Sequence, residues 1–139
     1  MGMSSDGLVQ LLDNMTNVQK EFSKWIKDFV FEMGLRSLAK TKKRTPVITG
    51  FLRNSWQVSD VFRKGDVVYV MLTNTAEYAS FVEEGHQAYK KGFDAVGNRQ
   101  KGKYVEGYHM AKISIAEIRA ELPIRFLRSF KQWTMRIAK

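Results

Sequence analysis

Between residues 8 and 42 the apolar positions fall into one repeating pattern. Leu8, Leu11, Leu12, Met15, Val18, Phe22, Trp25, Ile26, Phe29, Val30 and Met33 recur at three- and four-residue steps, the period that lays a single stripe along an α-helix. Gln19, Lys20, Glu21, Lys24, Lys27 and Asp28 occupy the positions between them and make the wet face. Ser5 or Asp6 is placed to cap the start by accepting a bond from a free backbone amide. Gly34 weakens the middle by about 1 kcal/mol relative to alanine, yet Leu35, Leu38 and Ala39 carry the stripe onward. The pattern predicts one long helix, with any bend at Gly34. A basic run, KTKKR at 40–44, stands where the helix should stop, and cations there complement the negative end of the helix dipole.

Pro46 disfavours helical angles at Thr45 and closes the helix. Thr49 and Gly50 then offer a turn, and residues 51–56 read as a short helical turn or the start of a strand. Val58, Val61 and Phe62 alternate with polar residues. Lys64, Gly65 and Asp66 read as a hairpin turn, and VVYVMLT at 67–73 is dominated by β-branched and aromatic residues. An antiparallel pair is the expected product. Asn74 and Thr75 cap a short helix carrying Ala76, Tyr78, Ala79, Phe81 and Val82, which Glu83, Glu84 and Gly85 bring to an end.

From 87 to 107 the regular pattern is lost. Gly92, Gly97, Gly102 and Gly107 are interspersed with Lys90, Lys91, Arg99, Lys101 and Lys103 against only Asp94 and Glu106, which predicts a long basic loop of the kind used for binding. Residues 108–112 then read as a short extended segment returning to the sheet. Ser114 is expected to cap a helix through Leu122, with Glu117 completing a capping box. Pro123 either kinks that helix or opens a new one. Beyond it Ile124, Leu127, Phe130, Lys131 and Thr134 share one face, with Ile137 nearby, as a last amphipathic helix. The fold class that follows is α+β: a long N-terminal helix, a small antiparallel sheet with a hairpin, a short helix and C-terminal helices.

Composition narrows this picture without redirecting it. A chain of 139 residues fits one domain, here 1–139, and 44% hydrophobic content is ample for a packed core. The absence of cysteine excludes disulfides and thiolate metal or redox sites. No basic region precedes an apolar run at the N-terminus, and no stretch approaches the roughly 18 apolar residues of a membrane span. Neither export nor a membrane is expected. The net charge of +9, from 23 Lys and Arg against 14 Asp and Glu, suits either an acidic protein neighbour or nucleic acid.

Candidate chemistry is sparse. His86 and His109 are not spaced as metal ligands are. Glu83 and Glu84 are adjacent, so on a helix they diverge by about 100° and cannot act on one atom together. No GxxxxGK[ST] or GxGxxG can be written through the glycines, and no nucleophile, base or cofactor site is apparent. An enzyme is therefore not expected, and no cofactor or metal. Basic and aromatic residues alternate at Tyr89-Lys90-Lys91-Gly92-Phe93 and Lys103-Tyr104, which suits nucleic-acid backbone attraction with stacking. A loop ordered by a neighbouring subunit would use the same residues.

The centre of the chain carries two motifs in order. Thr45-Pro46-Val47-Ile48-Thr49-Gly50-Phe51-Leu52-Arg53-Asn54-Ser55-Trp56 precedes the hairpin, and Tyr78-Ala79-Ser80-Phe81-Val82-Glu83-Glu84-Gly85-His86 follows it. Together they resemble the tail-component family of long-tailed bacteriophages, in which a TPVDTG.LR.S segment after a long helix precedes a YA..VE.GT segment. The chain departs from that pattern at Ile48, where an acid is common, and at His86, where a small hydroxyl residue is usual. The resemblance implies a structural virion protein of the neck or tail-completion type, made in the host cytoplasm. It implies a homo-oligomeric ring of six copies that joins the tail tube or tail terminator to the head connector, with genomic DNA passing through its channel. Thr45, Pro46, Thr49, Gly50, Leu52, Arg53, Ser55 and Trp56, with Tyr78, Val82, Glu83 and Gly85, would be its scaffold. Arg53 would bond a carboxylate such as Glu83 or Glu84. Lys90, Lys91, Arg99, Lys101 and Lys103 remain candidates for contact with a partner or DNA. A small basic nucleic-acid-binding protein is the alternative.

Overall fold

The computed structural model describes residues 5–47, 50–93 and 95–138. Helix α1 (Ser5–Arg44) is followed by the single turn α2 (Phe51–Asn54) and four short strands, β1 (Trp56–Val58), β2 (Phe62–Lys64), β3 (Val67–Tyr69) and β4 (Leu72–Asn74). Then come α3 (Ala79–Glu84), two longer strands, β5 (Gly85–Phe93) and β6 (Arg99–Glu106), and helix α4 (Met110–Ile137). The expected α+β architecture is present.

The apolar stripe of α1 finds its partner in α4, which runs antiparallel to it. Trp25 is the hub of their seam. It stacks on Phe29 and Trp133 at 5.8 and 5.7 Å and meets the edges of Phe126 and Phe130 at 5.4 and 5.5 Å. Its indole Nε1 donates to Ser129 Oγ at 3.0 Å. Aromatic pairs of this geometry add about 0.5–1.5 kcal/mol each beyond the area they bury. Phe29, Met33 and Ile118 continue this core, with Phe126 against them. A second core gathers Leu52, Trp56, Ala76, Ala79 and Met110, with Leu38, Leu72, Val82 and Ala111 at its edge.

The expected hairpin is there, divided into two ladders. β1 pairs with β4 and β2 with β3, both antiparallel. Val58 faces Leu72 while Phe62 faces Tyr69, so residues 59–61 on one strand oppose only 70–71 on the other. That extra residue is a bulge, and Ser59 closes the gap by donating its amide to Met71 O and accepting from Met71 N at its hydroxyl. Gly34, the expected weak point of α1, has a packing reason: a Cβ there would stand 2.8 Å from Val70 Cγ2 and 3.3 Å from Val58 Cγ1. Its missing side chain is what lets the ribbon lie against the helix.

Three expectations for the C-terminal half are corrected. Residues 87–107 are a hairpin, not a loop: β5 and β6 pair antiparallel, with register shifts between Gln87 and Tyr89 and between Tyr89 and Phe93. Irregular pairing accommodates strand glycines that a regular ladder would not favour. Residues 108–112 do not return to a sheet, since α4 begins at Met110. Pro123 does not open a new helix but sits inside α4, where packing against α1 outweighs the backbone bond that proline removes. The helix runs from Met110 to Ile137 and buries Met110, Ser114, Ile118 and Trp133. Ile124 and Leu127, expected on the packed face, point outward at 64% and 66% exposure.

Candidate assembly site

The first motif is a joint at the end of α1. Ser37, Thr41 and Thr45 each donate a hydroxyl to the carbonyl four residues back, so small polar groups are buried there without loss of hydrogen bonding. Thr45 Oγ1 also accepts from Trp56 Nε1 at 2.9 Å, and Thr45 O accepts from Arg53 Nη2 at 3.1 Å. Arg53 thus grips a backbone carbonyl and not Glu83 or Glu84. Pro46 is half-buried beside it, Gly50 turns the chain at φ 82° into α2, and Leu52 enters the core. Ser55 donates its hydroxyl to Phe51 O, and its own carbonyl accepts from Thr75 N. Asn74 ties β4 back by donating to Leu52 O. Thr49 lies outside the described residues.

The second motif holds the start of α4. Glu83 accepts from Ala111 N at its Oε2 and from Lys112 N at its Oε1, at 3.0 and 2.9 Å. Free amides at a helix N-terminus want such an acceptor, and here it comes from a residue distant in sequence. The expected capping box is overturned accordingly. Ser114 lies inside the helix, donating to Met110 O, and Glu117 turns toward α1. Val82 O and Glu83 O accept from Tyr108 N and His109 N, so the end of α3 and the entry to α4 are stitched together. The hairpin therefore leaves and returns at one point. Gly85 has φ 92°, and a Cβ on Gly107 would strike Glu83 O and Glu84 C; neither site admits a side chain. Tyr78 begins α3, half out of the protein, with its ring 6.4 Å from Phe51.

Between the motifs the helices are clamped by charge. Lys40 Nζ lies 2.9 Å from Glu117 Oε2 and 3.9 Å from Glu121 Oε1, and Arg44 pairs with Glu117 Oε1 while donating to Ser114 Oγ at 3.1 Å. Hydrogen bonds from Lys40 and then Arg44 hold the Glu117 carboxyl below its ordinary pKa, against the opposing effect of desolvation. The run KTKKR therefore does more than complement a dipole. Its four-residue spacing of Lys40 and Arg44, matched by Glu117 and Glu121, was the signal available in the sequence.

The candidate contact cations lie on the β5–β6 hairpin, away from both motifs. Arg99, Lys101 and Lys103 lie along β6, all exposed, with a register shift of the hairpin falling between Lys101 and Tyr104. Lys90 and Lys91 belong to β5, and their side chains lie outside the described residues. His86 packs its ring against Phe81, and His109 forms the turn into α4 at φ 48°. Among the described residues no cluster of three His, Cys, Asp or Glu could hold a metal, and no helix is long and apolar enough to cross a membrane.

The first part of α1 leaves apolar side chains uncovered. Every residue from 8 to 22 on α1 is exposed, including Leu8, Leu11, Leu12, Met15 and Val18 at 45–55%. These residues continue the stripe that packs on α4, past the point where α4 ends. Contiguous exposed apolar surface of this kind marks a site of interaction.

Comparison with known proteins gives one family. The model described as "Bacteriophage HK97-gp10, putative tail-component" matches residues 10–85, more than half of the chain and both motifs up to Gly85. No curated protein and no solved structure matches.

Proposed function

The chain belongs to the HK97-gp10 family of bacteriophage tail components, and from that premise we propose that it acts at the neck of the particle. It assembles as a ring of six at the head-proximal end of the tail and joins the tail to the head connector. It works by assembly and not by catalysis. The observation that carries the reading is the family match across α1, the joint and α3, the elements that hold the two helices and the hairpin in fixed relation. A closed ring needs two different surfaces on each copy, and a bare apolar arm offers one of them. Arg99, Lys101 and Lys103 would face the channel, where a positive wall attracts passing DNA.

Mass measurement of the purified chain, alone and mixed with tail tubes, tests this. Six copies bound at a tube end are expected. A chain that never joins tubes overturns the proposal. The basic hairpin face also keeps a second reading, a free nucleic-acid-binding protein; a salt-sensitive mobility shift of DNA by the isolated chain, without tube binding, would favour it.

A further inference from the structure

Beside α1 runs an open apolar groove. Two neighbouring hollows of about 840 and 590 Å³ lie between α1, the β2–β3 ladder and α4, with Ile26 and Val68 lining both. Phe22, Phe130 and Trp133 line the first hollow and Phe126 the second. The groove's rim carries Arg63, Asp66 and Arg119. A hydrophobic trough of this form suits an amphipathic helix whose anchors recur at i, i+3, i+4 and i+7.

The same chain carries such a helix. Leu8, Leu11, Leu12 and Met15 have that spacing and are half exposed on the free end of α1. We propose that the N-terminal arm of α1 from one copy docks in the groove of a second copy, with these four side chains as the anchors. Charge selects this occupant. From Gly7 to Gln19 the sole charged residue is Asp13, which helical spacing puts on the side away from the anchors, free to stay in water. The arm therefore meets the rim arginines without repulsion. A second exposed stripe, Ile113, Ala120, Ile124 and Leu127 on α4, is accompanied by Lys112, Arg119, Arg128 and Lys131, whose side chains pair with no acid among the described residues. That stripe would bring like charges to the rim. The arm is also short, about 20 Å at 1.5 Å per residue, so one contact is weak and repetition round a closed assembly supplies the stability. Arm and groove are different surfaces, and each copy both donates and accepts.

The inference deepens the ring reading and can fail separately from it. The chain has no cysteine of its own, so two single-cysteine proteins, Leu11→Cys in the arm and Leu122→Cys at the groove, can be mixed and oxidised. The arm-to-groove product is expected to exceed either self-product several-fold. It should fall at least tenfold when Leu8→Gln and Leu12→Gln are added to the arm protein. Dominant arm-to-arm product overturns the proposal, as does the absence of product at about 1 mM chain, where even weak contacts are half occupied. A groove that links instead to a tail-tube protein in a mixture also overturns it. A six-copy mass with no arm-to-groove product sinks the docking and leaves the ring. Arm-to-groove product in a closed pair of copies keeps the docking and sinks the ring.

Discussion

The two ends of the α1–α4 pair are built on opposite plans. At the C-terminal end of α1, Thr41 and Thr45 are buried with every hydroxyl bonded, Lys40 and Arg44 clamp Glu117, and Trp56 and Arg53 fasten the joint to Thr45. At the other end the same apolar stripe runs on through Leu12 and Leu8, where no described residue covers it. The periodicity is identical, so the difference lies in the partner and not in the helix. The stripe is core where α4 reaches it and exposed surface beyond that reach. One end of the pair is buried by folding, and the other stays exposed among the described residues.

This contrast can be broken most severely at the seam. Trp25→Ala removes the ring that five aromatic neighbours touch and is expected to destabilise the monomer by about 3–5 kcal/mol, read as the shift in urea unfolding. Next comes the remote cap. Glu83→Ala leaves the amides of Ala111 and Lys112 without their acceptor and should cost about 1–2 kcal/mol, with faster hydrogen exchange confined to the first turn of α4. Glu83→Gln should recover part of that loss.

The charge clamp sharpens the comparison through pH. Because the Glu117 pKa is lower in the folded chain than its ordinary value of 4.5, its contribution is complete above that value and is lost as pH falls through the folded pKa. Thermal melts from pH 6 down to about pH 3 should therefore fall more steeply for the natural chain than for Glu117→Gln. The effect is small, since exposed pairs contribute little. The smallest change is expected at the arm. Leu12→Gln should shift monomer unfolding by less than about 0.5 kcal/mol, although a leucine is lost, while assembly onto tail tubes weakens. An equal loss of monomer stability would mean that the arm is packed within its own chain.

Much of this fold was legible along the chain. The period of α1, the stop at Pro46, the hairpin turn at Gly65 and the two motifs all express local preferences, which a sequence states directly. The misreadings share one cause. Ser114 and Glu117 have the form of a capping box, but Arg44 and Lys40 from another helix claimed them. Charge suggests Glu83 or Glu84 as a partner for Arg53, yet Glu83 is committed to the amides of α4 and Arg53 donates to Thr45 O. The basic glycine-bearing stretch had no clear period, so its pairing as β5 and β6 rested on a register that only the folded chain fixes.

The sequence by itself determined the helix, the joint residues and the family, because capping, turn and periodic signals act over a few residues. Tertiary structure alone decided which face of α4 is buried, what Glu83 caps, why Gly34 has no side chain and where the apolar stripe loses its partner. Those outcomes depend on which groups meet across long sequence separations, and the number of such pairings far exceeds what local spacing can specify.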